Sequence, residues 1–269
     1  MISIYKKITE ATEQNIPVYL ATVISTSGSS PGSIGMKFLV YSDGSIYGTI
    51  GGGAIEKKVI DKIIQKKPKT VEKWTFDLGS KNETGEKTGM ICGGIQEILV
   101  EPLLPGIKLY ITGGGHCAMA LSTLAAKTGF AVTIIDDRPE WANKEKHPDA
   151  TYIICASYED VIKHIDFSPD IFIVIMTHAH KYDETVLRQV SGKPYKYLGM
   201  IGSQNKVKII LKKLKNDGFP LQDIKNIFAP IGFDIGSNTP DEIAVSILAQ
   251  MIAVRNQKEN IKFNSNPLV

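Results

Sequence analysis

The residues best suited to chemistry sit in four short stretches. The first begins as Lys108-Leu109-Tyr110-Ile111-Thr112, an apolar run that enters Gly113-Gly114-Gly115-His116-Cys117-Ala118. This is a GxGxxA form of the dinucleotide fingerprint. Gly113 permits a tight turn, Gly115 lets a pyrophosphate approach the backbone, and the small Ala118 lets the following helix pack closely. Phosphate would sit on free amides at the start of that helix, where His116 also lies. Asp136 ends the next apolar run, about 20 residues on, where an acid can accept hydrogen bonds from ribose hydroxyls. Arg138 follows closely and could meet a 2′-phosphate, so NAD and NADP both stay open.

The other three stretches are less specific. Cys92 precedes Gly93 and Gly94, and a thiol on a glycine turn could hold a soft metal; a small buried side chain at a strand start is the competing reading. Gly51-Gly52-Gly53 with Glu56 resembles a second strand-to-helix anion site, although Glu56 also suits the helix dipole. Thr177-His178-Ala179-His180-Lys181-Tyr182-Asp183 invites comparison with a metal-binding HxHxDH pattern. Its aspartate comes one residue late and no histidine follows His180, so a zinc hydrolase is set aside. His178 nevertheless belongs at the rim of a sheet, where ligands bind, with a polar loop and a site wall as equal readings.

These groups need elements to position them. Residues 2–13 read as a helix, and 18–25, 36–41, 46–50, 71–77 and 95–101 as strands, with a helix leaving Gly53 on the period of Ile55, Val59, Ile60, Ile63 and Ile64. Residues 79–89 read as a polar loop. Pro102 to Gly106 punctuates the chain, after which strands at 108–112, 131–135, 151–155, 171–176 and 196–200 alternate with helical segments, as a parallel sheet requires. Thr239, Pro240 and Glu242 signal the start of a last long helix reaching Arg255. The expected organisation is an α+β domain over 1–104, a Rossmann-type parallel-sheet domain over 105–256, and a polar tail over 257–269.

The bulk numbers narrow the classes of function. Of 269 residues, 43% are hydrophobic and 22% charged, with a net charge of +3, the balance of a folded soluble protein. Lys206, Lys208, Lys212, Lys213 and Lys215 alternate with apolar residues at helical spacing, which reads as a solvated helix face. Without interleaved aromatics it is no nucleic-acid groove. Cys92, Cys117 and Cys155 lack paired spacing, so a cytoplasmic setting is expected. Neither an export leader nor a membrane span is expected.

Taken together, the segments resemble the XdhC/CoxI family, the xanthine dehydrogenase accessory factors. The likeness rests on ATVISTSGSSPGSIGMKFLVYSDGSIYGTIGGGAIE (21–56), ICGGIQEILVEPL (91–103), ITGGGHCAMAL (111–121), VTIIDDRPEWA (132–142), THAHKYDE (177–184), YLGMIGSQNKV (197–207), which contains Gly202, and the segment 231–255. The resemblance implies a protein that binds the molybdenum cofactor (molybdopterin), supports its sulfuration and passes it to a molybdenum hydroxylase such as xanthine dehydrogenase. Cys92 then corresponds to the family's CGG cysteine, the candidate molybdenum ligand. A cysteine desulfurase partner and a homodimer belong to the same expectation, and an accessory role is favoured over catalysis. An NAD(P)-dependent oxidoreductase and an NAD(P)-sensing module are the competing readings. Two departures stand out: the 79–89 loop is long and charged, and Gly32 follows Pro31 where the family commonly has arginine.

Overall fold

The computed structural model describes residues 2–14, 16–79, 85–90 and 93–258. The chain forms two compact units, Met1–Pro105 and Gly106–Val269. Cys92 and residues 259–269 of the expected tail lie outside the described residues.

In the first unit α1 (Ile2–Glu13) precedes β1 (Val18–Ser27), β2 (Lys37–Tyr41) and β3 (Ile46–Gly48). Then come α2 (Gly53–Lys66), β4 (Glu72–Asp77), β5 (Glu86–Lys87) and β6 (Ile95–Leu103). The sheet runs β3-β2-β1-β6-β4-β5 and is antiparallel except for the β4–β5 pair. Period-2 alternation sorts β1 between two layers. Tyr19, Ala21 and Val23 face a core shared with Ile55, Val59 and Ile63 of α2, whereas Val18 and Leu20 join Ile4 and Ala11 of α1. Strand β6 continues through Pro102 to Leu103, past the end expected at Glu101. Its pairing with β4 stops at Val100, so Pro102 lies where β6 has lost that neighbour and a missing N–H is tolerated. The short β5 lies in the segment expected to be loop.

The second unit is a parallel α/β sandwich. Its strands are β7 (Ile107–Thr112), β8 (Phe130–Asp136), β9 (Tyr152–Cys155), β10 (Phe172–Ile175), β11 (Tyr197–Met200) and β12 (Ile227–Phe228). Its helices are α3 (His116–Lys127), α4 (His180–Val190), α5 (Gln204–Asn216), α6 (Leu221–Lys225) and α7 (Pro240–Arg255), with a 3-10 helix at Tyr158–His164. The sheet order is β12-β11-β10-β7-β8-β9, all parallel. Leu109 and Ile111 of β7 face the layer of α3 and α7, and Tyr110 faces that of α4 and α5. The chain leaves β7 toward β9 and returns to β10 on β7's other side. This reversal opens a crevice at the strand ends, the usual ligand position in such sheets.

Helix α7 begins where its sequence signals placed it. Thr239 Oγ1 accepts from Glu242 N and the Glu242 carboxylate accepts from Thr239 N, with Pro240 in the first turn. Helix α5 buries Val207, Ile210 and Leu214 while Lys208, Lys212, Lys213 and Lys215 are exposed. Lys206 departs from that solvated face and turns inward to the fully buried Asp183. Among the described residues, no helix is long and apolar enough to cross a membrane.

Candidate functional site

In the first unit, three glycine-containing loops meet at one end of the sheet. A Cβ on Gly94 would fall 2.2 Å from Ser29 O and 2.6 Å from Ser27 O, and one on Gly32 would fall 2.1 Å from Ile50 O. Only residues without side chains allow backbones to approach so closely. The 27–32 loop therefore touches both the 93–94 segment and the turn at Ile50. Gly93 N donates to Leu78 O and Leu78 N to Gly94 O, at 2.9 and 2.8 Å, fixing the backbone immediately after Cys92 to the chain following β4.

Gln96, fully buried, staples this arrangement. Its Nε2 donates to Ile50 O at 3.0 Å, and its Oε1 accepts from Ser30 Oγ at 3.0 Å. Sequence reasoning passed over it, although a visible signal existed: Gln96 is a polar residue in register with inward-facing Ile98 and Val100 on β6. Glu56 closes the Gly51-Gly52-Gly53 turn from within. One carboxylate oxygen accepts from Thr49 Oγ1 at 2.5 Å and from the amides of Ile50 and Gly52 at 2.9 Å each. Burial pushes the Glu56 pKa up, but these donors outweigh it and hold the group below the usual carboxylate range.

In the second unit the glycine turn is held at both sides of one peptide. Gly113 adopts φ 111° and its Cβ position lies 2.2 Å from Met176 O, so only glycine fits between the ends of β7 and β10. Gly114 N donates to Asp136 Oδ2 at 2.6 Å, and Gly114 O lies 3.1 Å from Nε2 of the fully buried His147. Burial pushes the His147 pKa down and keeps the ring neutral. Because a carbonyl can only accept, Nε2 carries the proton and Nδ1 faces Ser122 Oγ at 3.2 Å. No sequence motif marked His147.

Asp136 has a task other than the expected one. Its Oδ1 accepts from Arg138 N and Nε; its Oδ2 accepts from Gly114 N, Arg138 Nη2 and Tyr158 Oη. Five donors meet the roughly four lone-pair sites of a carboxylate, and the side chain is fully buried. No acceptor capacity is left for ribose hydroxyls. Burial alone would raise its pKa, but Arg138, the Gly114 amide and Tyr158 lower it to about 2.

Above this turn lies a cavity of about 440 Å³ whose walls include Gly115, His116, Ala118, Arg138, Trp141 and His178. Gly115 caps α3 with no side-chain hydrogen bond, and its Cβ position is open. The His116 ring meets Trp141 edge to face at 5.1 Å, and Arg138 Cζ stands 5.3 Å from the Trp141 ring centre. His178 Nδ1 is 3.6 Å from Asp137 Oδ1, a buried atom with no hydrogen-bond partner. Cys117 also lines the cavity, with a thiol pKa raised by burial.

The remaining expected residues fall outside this wall. Gly202 lies beneath the Lys206 stem, and its neighbour Ile201 lines the cavity. Asp183 of the THAHKYD stretch bonds Thr177 N and Oγ1 at 2.9 and 2.7 Å and pairs with Lys206; it serves the loop, not a metal. Among the described residues, Asp136, Asp137 and His178 form the one group close enough to share a cation. With Asp136 saturated, only two donors remain, too few for a closed metal site.

Residues 11–71 match the model of the XdhC and CoxI family, and residues 109–251 match that of the XdhC Rossmann domain. The chain belongs to the XdhC/CoxI family. The second match contains the whole cleft of this XdhC-family chain, whereas Cys92-Gly93-Gly94 falls between the two matched segments. Over 260 residues the chain is 32% identical to the uncharacterized protein YqeB of Escherichia coli, covering 95% of this chain and 47% of that one. It is 30% identical to a Bacillus subtilis protein named as a probable xanthine dehydrogenase subunit, covering 60% and 46%. It is 26% identical to the molybdenum cofactor insertion chaperone PaoD of Escherichia coli, covering 58% and 42%. The chain thus spans about half the length of the curated relatives it matches. A solved structure described as a xanthine dehydrogenase from Bacillus halodurans shares the fold over 98% of both chains, with 23% identity and a TM-score of 0.54.

Proposed function

We propose that this XdhC-family protein is an accessory factor that holds the molybdenum cofactor and hands it to a molybdenum hydroxylase such as xanthine dehydrogenase. The observation that carries the reading is the meeting of three glycine loops at Gly93 and Gly94, the two residues that follow Cys92 in the sequence. Gly94 and Gly32 bring backbone against backbone, and Gly93, the residue after the cysteine, is anchored by its N–H to Leu78 O. Backbone amides at such a place suit a phosphate-bearing pterin, and a thiolate is a soft ligand suited to a heavy metal. Two relatives support the same role, one named as a molybdenum cofactor insertion chaperone and the other as a probable xanthine dehydrogenase subunit. Support of sulfuration with a cysteine desulfurase, and assembly as a homodimer, complete the proposal.

The test is retention of the cofactor. Protein purified from a host that makes molybdopterin should carry the pterin, read by fluorescence after oxidation, together with molybdenum by elemental analysis. Cys92→Ala should lose most of both. Full retention in that variant would remove Cys92 from the site.

A second part of the proposal concerns the Rossmann unit, where a nucleotide such as NAD or NADP occupies the cleft. The cavity at the strand-order reversal, beside an uncapped α3 and an open Gly115, supports it. Binding without turnover of small alcohols or carbonyls is the expected behaviour of an accessory protein.

A further inference from the structure

The cleft of the second unit has an end wall whose chemistry distinguishes among nucleotides. In a sheet of this order the adenosine ribose falls at the tip of the strand after the glycine turn, here β8. A ligand with a free ribose diol needs an acceptor there. Asp136, the acid at that tip, is fully buried and saturated by donors from Gly114, Arg138 and Tyr158. The neighbouring Asp137 is absent from the cavity wall, and its Oδ1 lies toward His178 Nδ1.

Donors, by contrast, are available. Arg138 lines the cavity with a side chain 27% exposed. Asp136 grips its Nε and Nη2, while Nη1 makes no hydrogen bond among the described residues. The guanidinium is thereby held in one orientation with a free edge, an arrangement suited to phosphate oxygens. A second cation stands behind the wall, against its Trp141: Lys146 Nζ lies 5.7 Å from the ring centre and Arg138 Cζ 5.3 Å. The indole of Trp141, itself in the cavity wall, gives a base an apolar surface with two positive groups nearby.

We propose that the cleft selects a nucleotide with a phosphate on its adenosine ribose over one with a free diol, through Arg138 assisted by Lys146. Asp136 here is a positioning residue: it spends its lone pairs orienting Arg138 and the Gly114 peptide, and so is itself no acceptor for a diol. The inference rests on the nucleotide reading of this unit and is independent of Cys92.

Calorimetric titration of the full chain with NADP+ and with NAD+ tests it, using 2′,5′-ADP and 5′-ADP as smaller probes. NADP+ should bind more tightly by about tenfold or more, the scale of a charge-assisted hydrogen bond, and 2′,5′-ADP should outcompete 5′-ADP. Lys146→Ala should weaken NADP+ severalfold with little effect on NAD+, and Arg138→Ala should erase the preference. Should the arginine variant fail to fold, the wild-type comparison and the lysine variant still decide. Equal affinities, or a preference for NAD+, overturn phosphate selection while leaving nucleotide binding in place. Absence of binding by either dinucleotide overturns both.

Discussion

Two triple-glycine turns, one in each unit, start from nearly the same local pattern and end in different states. Each follows a strand or extended run and opens a helix. At Gly51-Gly52-Gly53 the chain supplies its own anion: Glu56, in the first turn of α2, takes the amides of Ile50 and Gly52 and the Thr49 hydroxyl. At Gly113-Gly114-Gly115 the carboxylate comes instead from β8 and takes only one amide of the turn, that of Gly114, its other bonds going to Arg138 and Tyr158. Neither helix start has a side-chain cap, but that of α3 faces a cavity. A glycine turn before a helix is therefore an anion site only when the chain has not already filled it. The position of one carboxylate decides between a closed structural turn and an open cleft.

Removing that carboxylate in the second unit should have the largest effect on stability. Asp136→Asn leaves Arg138 and several donors short of a partner. Urea unfolding should show a loss of about 2–4 kcal/mol, toward the lower end because Arg138 is partly exposed. The acid limb adds a signature. Burial pushes the Asp136 pKa up, yet Arg138 and its other donors lower it from 3.8 to about 2. Its contribution is thus intact above the unfolded pKa and lost as pH falls through the folded one, between about pH 4 and pH 2. The variant should lack that component. A wild-type acid transition unchanged by the substitution would show that Asp136 does not tie the turn.

The corresponding change in the first unit should be milder. Glu56→Gln keeps the shape but loses charge-assisted bonds at a half-buried site, so about 1 kcal/mol is expected in the same unfolding measurement. A loss as large as that at Asp136 would erase the contrast between a surface plug and a buried clamp. Gly115→Ala should be the smallest perturbation of the fold. Its φ is −69° and the space at Cβ is open, so stability should fall by less than about 1 kcal/mol. The added methyl occupies the approach of a phosphate, and NADP+ affinity should drop by about tenfold or more. Unchanged affinity would place the ligand elsewhere.

Much of the architecture was legible because the signals are local. The capping box at Thr239, the helical period from Ile55 to Ile64 and the strand, glycine turn and helix at Leu109 to Ala118 each specify an element through neighbours a few residues away. The Gly113 and Gly115 assignments followed from the same locality, since a turn needing φ 111° and a helix start needing open backbone are written in adjacent positions. The 3-10 helix and β12 carried too few residues for periodicity to register. Pro102 misled, because its tolerance depends on where the neighbouring strand β4 stops.

What residue order by itself determined is the parallel Rossmann-type unit, the preceding α+β unit and the glycine turns in each. What only the tertiary structure decided is who partners whom across long separations. Asp136 gives itself to Arg138 and Tyr158 instead of a ribose, His147 reaches Gly114, Gln96 joins Ile50 to Ser30, and Lys206 leaves its solvated face for Asp183. Hydrogen-bond capacity is finite and is assigned in space, so whether a recognisable acid or glycine turn remains free for a ligand depends on contacts that spacing along the chain does not encode.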